Sequence, residues 1–197
     1  MNKMNFIETI KVEDGLVKNL DLHIERARAT SMKFFGVEKE YRFGELISEE
    51  VIVQTSGIYK LRVIYSEEIL SFSFEPYKKR EIHTLRPVDG SGVDYSFKYE
   101  SRGAIEALLE QRGDCDDILI IKDGFVTDTS YCNIICSDGK GLYTPSTPLL
   151  KGTKREQLLR EGVIKEREIR IDDLNKYSEF YVVNAMFGPH RVNISPF

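Results

Sequence analysis

Apolar and polar residues alternate from Phe6 to Val12, break at Glu13-Asp14-Gly15 and resume at Leu16-Val17. A period of two interrupted by an Asp-Gly turn signal predicts a β-hairpin with one buried face. Beyond Asn19, a candidate N-cap, the spacing lengthens: Leu20, Leu22, Ile24, Ala27, Met32 and Phe35 recur at roughly helical intervals until Gly36 closes the segment. A second helix is expected over residues 43 to about 54. Alternation returns over residues 57–65 and 69–74, on either side of Ser66-Glu67-Glu68, predicting a second hairpin, and residues 82–87 read as a further strand.

Asp89-Gly90-Ser91-Gly92-Val93-Asp94 has linker composition. It sets the expected boundaries: a small N-terminal domain over 1–88, a linker over 89–94 and a larger β-rich domain over 95–197. Past the linker, Ile105, Leu108 and Leu109 predict a helix over residues 99–111. Strands then follow over 117–121, 125–127, 133–136 and 142–144, punctuated by Lys122-Asp123-Gly124 and Ser137-Asp138-Gly139. Lys151-Gly152-Thr153 opens a helix containing Leu158 and Leu159, and short strands over 169–171, 180–183 and 191–194 end the chain. Hairpins with two helices, then a β-rich portion with a helix at each key loop, predict an α+β fold.

Charge and composition narrow the function classes. The 197 residues carry 28 basic and 32 acidic side chains, a net charge of -4, which argues against a nucleic-acid binder working by bulk charge. Lys78-Lys79-Arg80 reads as a solvated strand end rather than a phosphate-binding patch. With 41% apolar and 30% charged residues the chain has globular composition. No window approaches a membrane span and no signal-like apolar region follows the N-terminus, so the expected place is the cytoplasm. Cys115, Cys132 and Cys136 are odd in number and lack CxxC spacing, which argues against a disulfide framework and a structural zinc site.

Three loops hold residues able to do chemistry. Lys98 follows the Gly-rich segment; a lysine amine there can form a Schiff base with an aldehyde cofactor, or it is a solvated lysine at a strand end. In Val126-Thr127-Asp128-Thr129-Ser130 one carboxylate lies among hydroxyls between two strands. Buried, it would suit holding a proton on a pyridine nitrogen; exposed, it is a turn aspartate. Gly152, Thr153 and Lys154 begin a helix whose N–H groups and positive dipole end could receive a phosphate, the alternative being an ordinary glycine-led helix start. Arg26, with His23 one turn earlier, could clamp that phosphate or form a helical ion pair.

Together, the order and spacing of these motifs resemble one family. Ile7-Glu8-Thr9-Ile10, His23-x-x-Arg26, Lys98 with Arg102, Val126-Thr127-Asp128-x-Ser130 with Asn133, Leu142-Tyr143-Thr144-Pro145 and Leu150-x-Gly152-Thr153-x-Arg155 look like the aminotransferase class IV family of pyridoxal-phosphate enzymes. The likeness runs from about Phe6 to the C-terminus. It implies a two-domain fold like that of D-amino-acid aminotransferases, a pyridoxal 5'-phosphate cofactor and a homodimer. Residue by residue, it implies that Lys98 carries the cofactor and moves the substrate's α-proton, and that Arg26 binds the phosphate. Gly152, Thr153 and Lys154 match the phosphate-cupping backbone, and Asn184 and Ala185 the second loop on that side. Asn133 matches a site asparagine, and Asp128 the carboxylate facing the ring nitrogen.

Three departures qualify the likeness. The family usually has glutamate where this chain has Asp128, one methylene shorter. The leading strand of longer relatives is missing before Ile7, and residues 89–94 lack a carboxylate-recognising loop. Asn184-Ala185-Met186 and the first hairpin look most like 4-amino-4-deoxychorismate lyases of folate biosynthesis, which release pyruvate and an aminobenzoate. A transaminase of branched-chain or D-amino acids would use the same residues, and a non-catalytic cofactor-binding relative is the reading from another class.

Overall fold

The computed structural model describes residues 4–48, 52 and 56–196. Its contacts divide the chain into two compact units, Met1–Lys79 with Phe97–Ser101, and Arg80–Ser96 with Arg102–Phe197.

In the first unit the alternating segment forms β1 (Phe6–Glu13) and β2 (Leu16–Val17). Asp14 and Gly15 join them at φ 47° and 76°, a left-handed turn that suits the twist of the flanking strands. Helix α1 (Leu20–Phe35) ends at Gly36, φ 70°, whose N–H donates to the Met32 carbonyl. Asn19 precedes α1 but is itself left-handed and makes no side-chain cap; its carbonyl accepts the His23 N–H instead. With β3 (Ile58–Tyr65) and β4 (Ile69–Pro76) the hairpins form one antiparallel sheet in the order β2-β1-β3-β4. Alternate residues of β1 and β3, including Phe6, Ile10, Leu61 and Val63, bury in one cluster with Ala27 of α1 and Phe43. Of the helix expected over 43–54, the described residues show a 3-10 turn at Phe43–Glu45, where Phe43 is drawn into that cluster, and a helical Ile52 whose N–H donates to the Ser48 carbonyl; residues 49–51 and 53–55 lie outside the described residues.

In the second unit a single sheet contains β5 (Thr84–Asp89), β6 (Asp117–Lys122), β7 (Phe125–Thr129), β8 (Asn133–Ser137), β9 (Leu142–Pro145), β10 (Lys165–Arg167), β11 (Glu179–Asn184) and β12 (Phe187–Ile194). Its order is β10-β9-β8-β11-β12-β5-β6-β7, and an added β7–β8 pairing closes the strands from β8 round to β7 on themselves. That closure rests on one register pair, Asp128 opposite Asn133, while the far end of the same β8 edge takes β9 at Cys136 and Ser137. Leu85, Leu119, Val126, Ile134, Val182 and Val192 form the core. Helix α2 (Gly103–Leu109) follows β5, and α3 (Thr153–Arg160) covers Ile135 and Val183 through Leu158.

Three sequence expectations are revised. Residues 89–94 lie inside the second unit: Asp89 ends β5, the Gly90 N–H bonds the Ile121 carbonyl, and a Cβ on Gly90 would come within 2.5 Å of Ile120. The glycine there serves close packing, and the chain passes between units after Lys79, Ser96 and Ser101 instead. Helix α2 starts at Gly103 rather than near 99, because residues 98–100 run antiparallel along β1: Ile7 N–H donates to Lys98 O and Glu100 N–H to Asn5 O, both at 2.9 Å. The strand expected over 169–171 is one bridge between Arg170 and Phe125, since Ile169 is a lone buried residue among charged neighbours; pairing with β9 occurs earlier, at β10. All three cysteines are free thiols, and among the described residues no helix is long and apolar enough to cross a membrane.

Candidate functional site

The first group of site residues is assembled on β1 and α1. The alternation that buries Phe6 and Ile10 places Glu8 on the same face, fully buried, where His23 and Arg26 of α1 meet it one turn apart. Arg26 donates from Nε to Oε1 at 2.9 Å and from Nη2 to Oε2 at 2.5 Å, and His23 Nδ1 lies 2.5 Å from Oε2. Burial alone would raise the Glu8 pKa, but the Arg26 charge and the His23 and Arg26 hydrogen bonds outweigh it and bring it down to about 2. Burial lowers the His23 pKa, Glu8 pulls it up, and Arg26 and Lys98 push it down again; the net shift is downward. Histidine is then neutral at neutral pH and donates its Nδ1–H to the carboxylate. Lys98, partly buried, is held through its carbonyl to Ile7, and its charge is felt at His23. Arg26 and Lys98, distant in sequence, thus belong to one unit. Sequence reasoning gave Glu8 no role; a carboxylate in the core-facing phase of an alternating strand was the available signal.

The second group sits on β7, β8 and the start of α3. Asp128 and Asn133 are register partners across residues 129–132, a loop closed by the Thr129 N–H bonding the Cys132 carbonyl. Asn133 Nδ2 donates to Asp128 Oδ1 at 2.7 Å, and the Leu150 N–H donates to Asp128 Oδ2 at 2.8 Å. Burial raises the Asp128 pKa to about 6 against the lowering pull of those donors and Arg155. Gly152 is the residue before α3, its carbonyl accepts the first helical bond from Glu156, and as a glycine it brings no side-chain cap of its own. Thr153 is buried, while the Lys154 amine reaches Gln157 at 2.9 Å. Arg155, also buried, anchors the helix by donating to the Pro145 carbonyl and pairing with Glu166.

Asn184 ends β11, where its Oδ1 accepts the Met186 and Phe187 N–H groups and its Nδ2 points at Cys132 Sγ. The side chain shapes a turn through Ala185. A cleft of about 310 Å³ in the same unit is lined by Tyr95, Lys122, Phe125, Thr127 and Leu149 among others, and by none of the residues just described.

The sequence-derived residues therefore fall into two sets, Arg26 and Lys98 in one unit, and Asp128, Asn133, Gly152, Thr153, Lys154, Asn184 and Ala185 in the other. Their chemistry fits a cofactor bearing an aldehyde, a phosphate and a ring nitrogen. There is a partly buried amine, an arginine fixed by a buried carboxylate, a glycine-led helix start, and a second buried carboxylate whose charge invites a cationic partner.

Comparison with known proteins supports this chemistry. The profile of the amino-transferase class IV family matches residues 101–193. An uncharacterized protein of Haemophilus influenzae is 39% identical over 183 residues, 92% of this chain and 97% of that one. A crystal structure from Haemophilus somnus, provisionally named a 4-amino-4-deoxychorismate lyase, is 34% identical with TM-score 0.88, covering 94% of this chain and 98% of that one. A hypothetical aminotransferase from Mycobacterium tuberculosis in its PLP-bound form shares the fold at TM-score 0.78 and 20% identity, over 98% of this chain and 82% of that one. The chain belongs to the amino-transferase class IV family, whose enzymes depend on pyridoxal phosphate.

Proposed function

We propose that the chain is a pyridoxal-phosphate lyase of the 4-amino-4-deoxychorismate type, releasing pyruvate and an aminobenzoate. The observation that carries this reading is the 34% identity, over 94% of the chain, to the H. somnus protein of that provisional name. When bound, pyridoxal phosphate supplies an electron sink for the pair left as a bond at the substrate's α-carbon breaks. Lys98 is the residue that carries the cofactor and moves the proton at that carbon. Arg26, its guanidinium held along one edge by Glu8, is the phosphate-binding arginine of this reading, and within the second unit the backbone of Gly152, Thr153 and Lys154 offers helix-terminal N–H groups suited to a phosphate. Asp128 keeps the proton on the ring nitrogen, since a buried carboxylate is stabilised by a cationic partner. The backbone of Asn184 and Ala185 belongs to the second loop on the phosphate side.

A transaminase would employ the same residues, so the experiment compares products. Purified protein given 4-amino-4-deoxychorismate releases pyruvate without any added keto acid if the lyase reading holds. Conversion of the cofactor to its amine form by an amino-acid donor, reversed on adding a keto acid, with no pyruvate from the chorismate derivative, rejects it. A colourless protein that stays colourless with added cofactor rejects both. We read the enzyme as a cytoplasmic homodimer, and sedimentation at twice the 22.7 kDa chain mass is the expected result.

A further inference from the structure

Three hydrogen bonds form a closed ring in the second unit: Asn133 Nδ2 to Asp128 Oδ1 at 2.7 Å, Asn133 Nδ2 to the Leu150 carbonyl at 2.9 Å, and the Leu150 N–H to Asp128 Oδ2 at 2.8 Å. We propose that Asn133 is a positioning residue that holds the Asp128 carboxylate and the start of α3 at one fixed spacing, so that the grips on the cofactor's ring nitrogen and on its phosphate are set together. The proposal rests on the roles given above to Asp128 and to Gly152 and Thr153, and deepens them.

An asparagine amide carries two N–H bonds, and here both are committed to acceptors. Their partners also fix which way the amide faces, because the flipped group would set its oxygen against a carboxylate and a carbonyl. With neither hydrogen left for a ligand, Asn133 acts through Asp128 and the helix start rather than by touching the cofactor. Its other side is wedged against α3: a Cβ on Gly152 would lie 2.0 Å from Asn133 Oδ1. Asn133 is 6% exposed and Asp128 5%, so water does not compete for the ring. The nearest alternatives in size and chemistry do not meet these demands at position 133. Aspartate would set a second carboxylate against Asp128, serine has one donor, and glutamine is a methylene too long for the space beside Gly152.

A ligand bound at two points gains affinity only when both points sit at the right separation, whereas each fragment alone is indifferent to that separation. Equilibrium binding to the apoprotein is therefore measured with pyridoxine 5'-phosphate, which has ring and phosphate but no aldehyde to react with Lys98, and with pyridoxine and inorganic phosphate separately. Asn133→Ala is expected to weaken pyridoxine 5'-phosphate about tenfold or more, with each fragment changed less than about threefold. Asn133→Ser, keeping one donor, falls between, and carries the test if the alanine variant does not fold. Unchanged binding of pyridoxine 5'-phosphate overturns the coupling, as does an equal loss for linked ligand and fragments. Asp128→Asn is measured in parallel. If it leaves pyridoxine and pyridoxine 5'-phosphate binding intact, the role of Asp128 fails and the coupling with it. If it weakens them while the Asn133 variants do not, only the coupling fails.

Discussion

Glu8 occupies a slot that the strand period reserves for an apolar side chain, and the three donors around it are what make an ionised carboxylate tolerable there. Removing its charge takes the Glu8 carboxylate away from Arg26, which is only 15% exposed, and from the buried His23. Glu8→Gln is expected to lose about 3 kcal/mol of stability in urea unfolding with an unchanged m-value. The buried titrating groups oppose one another with pH. Asp128 is raised from 3.8 to about 6, so the native state takes its proton first and gains stability as pH falls from above 6 toward 4. His23 is lowered from 6.5, so the unfolded state takes that proton first and stability falls as pH drops below 6.5. Apoprotein melting between pH 7.5 and 5 should therefore show a steeper acid loss in Asp128→Asn than in wild type, and a shallower one in His23→Gln; the reverse order would refute the assignment of these two groups. At this scale the sequence displayed Arg26, Lys98 and Asp128 as candidate residue types, and Glu8 within a motif, but not that the Glu8 carboxylate orders Arg26. A core-facing glutamate is recognisable only once its strand's buried face is known.

The elements that carry chemistry are short, and their ends decide more than their lengths. Gly152 has φ -71° and ψ 144°, a conformation open to any residue, so the backbone does not require glycine there. Space does, because Asn133 Oδ1 fills the place of a Cβ and its amide is tied to Asp128 and Leu150. Gly152→Ala is expected to lower stability by about 2 kcal/mol, the size of an overpacked contact. In the Asn133→Ala background the obstruction is gone, so the double variant should be more stable than the sum of the single losses predicts, a coupling readable in a thermal-unfolding cycle. Additive losses would mean that glycine serves something other than room for Asn133. Strand and hairpin positions were legible because alternation and Asp-Gly turns are local signals, as at Asp14-Gly15. Helix starts were less so. Residues 99–102 have helical composition, yet the open edge of β1 takes residues 98–100 first, and no local pattern reveals a partner that lies ninety residues away.

That pairing has a consequence for the whole chain, because it assigns Phe97–Ser101, with Lys98 among them, to a unit from which the segments on both sides are excluded. The Gly-rich segment looks like a boundary by composition, while contacts place it within the second unit and return only Phe97–Ser101 to the first. Composition reports where a chain can bend, whereas unit membership is decided by which backbone groups find hydrogen-bond partners. Ile7 N–H to Lys98 O and Glu100 N–H to Asn5 O are two such partners, supported by Phe6, Phe34, Phe97 and Tyr99 in ring contact. Amides in one cooperative unit open together, so native-state hydrogen exchange can read the assignment directly. The Glu100 and Ile7 amides should exchange with the opening free energy of the β1–β3 ladder. The Val93 and Glu106 amides, bonded within the second unit to Gly90 O and Arg102 O, should follow β5 and β6. Destabilising the first unit with Glu8→Gln should then accelerate Glu100 and Ile7 and leave Val93 and Glu106 unchanged. If Glu100 instead keeps pace with Glu106, Lys98 is anchored by the second unit, and the grouping of lysine, arginine and glutamate described for the first unit is wrong.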